Sequence, residues 1–526
     1  MLKRRHILPF LVIITLALCA RFLPGARTID DSFITYRYAR NILAGEGFVY
    51  NPGERVQGTT TPLFTLLMVM LGALRGGTTA DFPAIALAVN ALADTATALL
   101  LWQIGKRLKH PYAGITAGLL WAIAPFSVTF AIGGLETSLY MLLLTATVYA
   151  HISDKHTRAA WLAALSLLTR PDALLLLALL AFDRAASIWK DNQQKTDDRR
   201  PAAGLILAEL LAFGLPTAAW FGFATLYFGS PIPHSVAAKT LAYRLPDNAG
   251  LIRLMQHYAT PFLGHLTFGI PWIAIGLIFF PFLFYVGARA ALKENPRLWP
   301  WALYPWLYFA VFAIANPLIF RWYLTPPLPV YFLFILIGME KLVRGTGNSD
   351  SARGRLPRWK QILLPMLMLL PLISSLRGWQ LQPDHGPQRP APEMAWFQLE
   401  LLYRQAADWL NDEIQTRGEE SIPTLAAGDV GVLGFYTPTR ILDTVGLNSP
   451  VSLQYYPLDE TYYAISYAVP PDLIIEQQPD YVILLEIYGR KGLFADPRFD
   501  NNYVLLHKIP TDIYGSDGML IYAKRP

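Results

Sequence analysis

Apolar residues fall into long unbroken blocks along this chain, and polar residues gather in the short segments between them. That pattern predicts membrane-crossing helices rather than one-faced helices or alternating strands. A basic start, Lys3-Arg4-Arg5, precedes the first block, which fits a membrane helix and also a cleavable signal; the many blocks that follow favour the helix. Further blocks lie near 82–104, 111–129, 136–151, 203–228, 262–290, 298–315, 322–340 and 360–376, with a shorter one at 62–75 that reads as an interfacial helix. The stretch "AAWLAALSLLTRPDALLLLALLAF" has basic segments at both ends and predicts two short helices meeting at "TRPD". About eleven or twelve helices are expected.

Basic clusters set the orientation. Lys106, Arg107 and Lys109, "SDKHTR", and the runs at 184–200, 289–297 and 341–360 are placed in the cytoplasm with the N-terminus. The segment after the first helix, about 25–61, and everything beyond 376 are then outside. From 377 to 526 the pattern changes to that of a soluble α/β domain. "PTLAAGDVGVLGFY", "RILDTVGL", "DYVILLE" and "GMLIYAK" read as strands, and "AWFQLELLYRQAADWLNDEI" as an amphipathic helix. The expected fold is a polytopic α-helical membrane domain over 1–376 carrying an extracytoplasmic α/β domain over 377–526.

Composition agrees with this division. Of 526 residues, 53% are hydrophobic and 16% charged, and the mean hydropathy is +0.32. The formal charge of +6 comes from clusters at the ends of apolar blocks, which is topology and not a nucleic-acid footprint. A single cysteine, Cys19, excludes an internal disulfide framework.

The candidate chemistry starts in the first outer loop, "DDSFITYRYARNILAGEGFVYNPGERVQGTTTPL". Asp30 is suited to cap a helix carrying Phe33, Tyr36, Arg37 and Arg40 at helical spacing, with Gly45 and Gly47 ending it. "NPGE" reads as a type II turn, and "TTTP" as a cap with Pro62 at the first helical position. Asp30 beside Asp31 suits either a general base for a hydroxyl or a divalent-cation site. The same pair also reads as a cap followed by a solvated carboxylate, with Arg37, Arg40, Glu54 and Arg55 as local charge partners.

Other polar groups recur at the outer face. Glu136 opens an apolar helix in "GGLETSLY", Arg170 and Asp172 flank Pro171, "SPIPHSVAAKT" supplies His234 and Lys239, and "RWYLTPP" supplies Arg321 and Tyr323. Charges at membrane depth point to function by default, although the Arg170 and Asp172 pair also reads as mutual neutralisation and lone interfacial cations as anchors. Carboxylates and cations together suit an anionic lipid-phosphate ligand and an acceptor hydroxyl.

These motifs, taken in order with "AAGDVGVLGFYTPTRILDTVGL", resemble the bacterial integral-membrane glycosyltransferases of the C-type superfamily. That group includes lipid A aminoarabinose transferases, protein O-mannosyltransferases and mycobacterial arabinofuranosyltransferases. The resemblance implies transfer of a sugar from a polyprenyl-phosphate donor to a hydroxyl of a lipid, glycan or protein on the extracytoplasmic side of the inner membrane, by an inverting displacement. It implies that the catalytic acid of the first loop is Asp30 or Asp31, with Asp30 preferred as base and Asp31 orienting or binding a cation such as Mg2+ or Mn2+. Arg170, Lys239 and Arg321, with His234 and Tyr323 beside them, are the implied donor-phosphate residues. Glu136 is the implied sugar or acceptor contact, with Tyr36, Arg37, Arg40 and Glu54 nearby. The Asp-Asp pair departs from the Asp-Glu of the protein O-mannosyltransferases and argues against that branch. Asp429 and Asp443 read as loop structure. A transporter or lipid flippase is the alternative; the chain shows no duplicated halves, which such proteins often have.

Overall fold

A computed structural model describes residues 4–193, 203–262, 269–345, 357–418 and 421–526. Parts of the basic runs expected at 184–200 and 341–360 lie outside these residues. The apolar blocks form helices because a bilayer leaves backbone polar groups no partner but each other. Among the described residues, six helices are long and apolar enough to cross a membrane: Phe82–Arg107, Ala203–Phe228, Ile270–Glu294, Pro296–Ala315, Arg321–Arg344 and Trp359–Leu376. Pro111–Ile123 and Pro125–Ile132 form a pair bent by 40° that makes up to seven. The other blocks counted among the expected eleven or twelve also form helices, such as Arg4–Phe22, Thr137–His151, His156–Thr169 and Leu174–Gln193, but these are shorter or carry charged ends. Leu226, Ile278 and Ile314 face outward, as lipid contact requires.

Close packing and paired charge hold the bundle together. A Cβ at Gly287 would lie 1.8 Å from the Phe334 carbonyl oxygen, and one at Gly338 2.1 Å from that of Leu283, so glycine at both positions lets the two helices touch backbone to backbone. Arg21 and Asp94 are fully buried and paired at 3.0 Å, and Asp94 also accepts from Trp121 and Ser138. Each charge is thus neutralised where it would otherwise be costly.

Outside the bundle, the first loop folds as the helix Asp30–Leu43, a turn with Gly53 at φ +83, and a second helix, Pro62–Leu74. The C-terminal region begins with the short antiparallel strands β1 (Trp379–Gln380) and β2 (Ala391–Pro392). The amphipathic helix Leu399–Arg417 follows, then strands β3 (Thr424–Ala427), β4 (Arg440–Asp443), β5 (Tyr481–Leu485), β6 (Tyr503–Ile509) and β7 (Met519–Lys524). Their order is β4-β3-β5-β7-β6: β3 pairs in parallel with β4 and β5, and β7 pairs antiparallel with β5 and β6. The segment "GVLGFY", expected to continue a strand, is instead the short helix Gly431–Tyr436. Phe33, Tyr36, Tyr38 and Tyr50 of the first loop share one core with Leu425, Val432, Ile441 and Ile483. The loop and the sheet domain are therefore packed as one body.

Candidate active site

A cavity of about 430 Å³ lies where the first loop, the bundle and the C-terminal domain meet. Its polar lining includes Asp31, Thr59, Thr60, Thr61, Glu136, Arg170, Asp172, Lys239 and Tyr243, and its apolar lining includes Trp322, Tyr323 and Leu447. A largely apolar pocket with a few convergent polar groups is the usual form of a small-ligand site.

Local sequence explains how each charge reaches it. Pro171 holds Arg170 in extended geometry, φ −154 and ψ 136, which ends the helix His156–Thr169 at the cavity wall. The Arg170 guanidinium donates to Asp172 Oδ1 at 2.9 Å and Oδ2 at 3.2 Å, and to Glu136 Oε1 at 3.3 Å. Its face lies 4.8 Å from the centre of the Tyr323 ring. Arg170 thus joins three parts of the wall. Lys239, on the helix His234–Ala242, makes no ion pair within 4.0 Å among the described residues; its ammonium sits 5.5 Å from the Phe320 ring centre. Burial acts to lower its pKa, but Tyr323 and Asp31 more than offset that and leave it raised. Burial raises the Asp31 carboxyl above its ordinary value, and Lys239 pulls it back.

Asp30 does something different from its neighbour and from the expectation. The residue before the first-loop helix is Ile29, and no side chain caps that helix. The Asp30 carboxylate instead accepts the backbone N–H of Gly431 at Oδ2 and of Val432 at Oδ1, both at 2.8 Å. Asp30 is 5% exposed and does not line the cavity. Burial first, and Asp429 second, hold its carboxyl well above 3.8 against the pull of the two amides. Asp429, on the same turn, accepts from Tyr403 at 2.5 Å and is pushed up to about 6, chiefly by burial.

Several expected site residues belong to the contact between loop and domain rather than to the cavity. Tyr36 is fully buried, stacks on Phe82 and donates to the Gly134 carbonyl. Arg37 donates to the carbonyls of Tyr50, Gly434 and Thr439, and Arg40 to that of Phe435. Glu54 pairs with Arg440 and accepts from Asn51. Tyr36, Arg37 and Arg40 serve buried carbonyls that need donors, which sequence spacing cannot distinguish from ligand contacts. Arg321 lies over the Phe397 ring and reaches the Met394 carbonyl, and His234 donates its backbone N–H to Gln57; neither lines the cavity. Asp31, Glu136, Arg170, Lys239 and Tyr323 are brought together. Asp443 ends β4, and its carboxylate accepts the N–H groups of Val445, Gly446 and Asn448 in the turn that follows.

The three threonines at 59–61 were legible only as a helix cap, and Tyr243, Trp322 and Leu447 carried no sequence signal as site residues, yet all line the cavity. Among the described residues no group of three or more His, Cys, Asp or Glu is placed to hold a metal ion. Both Asp30 oxygens accept backbone amides, and of the expected cation-binding pair only Asp31 lines the cavity.

Comparison with known proteins adds three findings. Residues 393–522 match a family described as Domain of unknown function (DUF8728). The chain is 31% identical over 233 residues to the terminal beta-(1->2)-arabinofuranosyltransferase of Mycobacterium tuberculosis, a match covering 40% of this chain and 35% of that protein. The chain therefore spans about a third of the length of that relative. Among solved structures, it superposes on ArnT from Cupriavidus metallidurans bound to undecaprenyl phosphate with a TM-score of 0.52 and 12% identity, over 99% of this chain and 98% of that one. The oligosaccharyltransferase of Archaeoglobus fulgidus tethered with an acceptor peptide gives 0.54 and 13%, over 100% and 74%.

Proposed function

With the fold of the C-type membrane glycosyltransferases in place, we propose that this chain transfers a sugar from a polyprenyl-phosphate donor to an acceptor hydroxyl, with Asp31 as general base. The carrying observation is that Asp31 shares one cavity with Lys239, a cation with no ion-pair partner among the described residues. The acceptor is a lipid, glycan or protein on the extracytoplasmic face of the bacterial inner membrane, with the N-terminus in the cytoplasm. The basic clusters at the opposite ends of the helices support that orientation.

Asp31 takes the proton of the acceptor hydroxyl as its oxygen attacks the anomeric carbon. The bond from that carbon to the phosphate oxygen breaks, and its electron pair leaves with the polyprenyl phosphate. Lys239 stabilises the charge gathering on the departing phosphate. One displacement inverts the anomeric centre. Arg170, engaged by Asp172 and Glu136, holds Glu136 in the wall toward sugar or acceptor rather than acting as the main phosphate cation. Tyr323, across the face of Arg170, is placed with them.

The activity named for the Mycobacterium relative makes a polyprenyl-phosphoryl arabinofuranose the first donor to test. Purified protein in nanodiscs should release polyprenyl phosphate from it in the presence of an arabinofuranoside acceptor, and Asp31→Asn should not. Release at the wild-type rate by Asp31→Asn contradicts the assignment.

A further inference from the structure

The segment "GDVGVLGFY" of the C-terminal domain has no place in the chemistry just described, yet two of its amides donate to Asp30. A Cβ at position 431 would lie 1.8 Å from the Asp30 carbonyl oxygen, so only glycine lets the turn reach the loop. A Cβ at Gly434 would meet Tyr50 Oη at 2.0 Å and Arg37 Nη1 at 2.7 Å. Between these two glycines the domain presents the amides of Gly431 and Val432 to the Asp30 carboxylate. About two turns further along the first-loop helix, Arg37 holds the Gly434 and Thr439 carbonyls, and then Arg40 that of Phe435. One face of that helix is fastened to residues 431–439 from its first residue onward.

The fastening matters because the start of the first-loop helix has no side-chain cap. Uncapped N-termini fray, and Asp31 sits in that first turn. The next residue along a helix projects about 100° round the axis, so a carboxylate fixed at position 30 aims position 31 elsewhere. Here that direction is the cavity.

We infer that Asp30 is a positioning residue and that the Gly431 and Val432 amides, supplied by the C-terminal domain, hold Asp31 in place for proton abstraction. The two adjacent aspartates divide the work: one anchors and one reacts. The C-terminal domain is then a structural part of the active site. This inference rests on the proposed role of Asp31.

The test uses the full chain in nanodiscs with polyprenyl-phosphoryl arabinofuranose and an arabinofuranoside acceptor. Asp30→Asn keeps the shape but leaves one amide facing an NH2 group. Val432→Pro deletes the other donor at a first-turn position that tolerates proline. Both should lower kcat by about 10- to 100-fold, the loss expected for a reacting group displaced by about 1 Å, with the KM for donor within about threefold of wild type. Amide hydrogen exchange over residues 30–35 should rise in both. Arg440→Ala, which breaks only the peripheral pair with Glu54, should change neither. Folded Asp30→Asn and Val432→Pro proteins with wild-type kcat, or with unchanged exchange over 30–35, overturn the inference. Full activity of Asp31→Asn instead overturns the proposed base. If the wild type does not turn over this donor, the donor assignment fails, and the exchange arm still decides whether the clamp orders the first turn.

Discussion

Asp30 and Asp31 are neighbours in the chain but serve different surfaces: Asp31 lines the cavity, while Asp30 gives both carboxylate oxygens to the amides of Gly431 and Val432. Removing the two charges should therefore have unequal effects. Asp31→Asn is predicted to lower turnover by about 10²- to 10⁴-fold, the usual contribution of a general base, and to leave the fold intact. Initial rates of polyprenyl-phosphate release, measured beside size-exclusion profiles, check this. A larger loss for Asp30→Asn than for Asp31→Asn would reverse the roles.

Lys239 shares the cavity with Asp31 and is predicted to shift the pH dependence of turnover. Burial raises the Asp31 carboxyl and Lys239 lowers it. A base must be ionised, so activity disappears as pH falls through its pKa. Lys239→Met leaves burial unopposed and is predicted to move the acidic limb of kcat/KM to higher pH, with weaker donor binding besides. An acidic limb that stays where the wild type has it would show that Lys239 does not act on the base.

Arg170 balances two carboxylates, at 2.9 Å to Asp172 and 3.3 Å to Glu136, and is 3% exposed. Arg170→Ala leaves both without their cation and is predicted to cost about 3–5 kcal/mol of stability, as breaking a buried pair usually does. Arg170→Ala combined with Asp172→Ala should recover part of that loss, because one stranded charge is gone. Thermal unfolding in nanodiscs gives the comparison; a double variant no more stable than the single one would argue that the charges are not coupled.

Asp429 offers a stability test outside the bundle. Its carboxyl is raised from 3.8 to about 6, so the folded state holds the proton more tightly than the unfolded chain does. Its contribution is fully present below 3.8 and is lost as pH rises through about 6. Asp429→Asn has no proton to lose and can still accept from Tyr403. The variant is predicted to match wild type near pH 3.5 and to exceed it by about 3 kcal/mol above pH 7. Equal unfolding profiles at both pH values would contradict the assigned burial.

The helices were legible because long apolar blocks are a direct consequence of the bilayer, and the break at Pro171 because proline restricts the residue before it. Glu136, Arg170 and Lys239 could be gathered in advance because charges beside apolar blocks are costly without a purpose. What stayed hidden depends on contacts between segments some 400 residues apart. Asp30 has the residue type and position of a helix cap, and nothing local reveals that it serves amides at 431 and 432 instead. Arg37 and Arg40 look like ligand groups until the carbonyls of Gly434, Thr439 and Phe435 arrive beside them. The segment 431–436 reads as strand because its valine and aromatic residues favour β structure, whereas in the fold it is a short helix sharing a core with the first loop.

Glycosyl transfer at this cavity is tested most directly by a cryo-EM map of the full chain in nanodiscs with added polyprenyl phosphate. Phosphate density is expected inside the cavity, within reach of Lys239 and on the same side as Asp31, with the lipid chain leaving between the helices. A head group bound elsewhere, with a continuous polar path joining the two membrane faces through the bundle, would contradict glycosyl transfer at this site and favour a transporter.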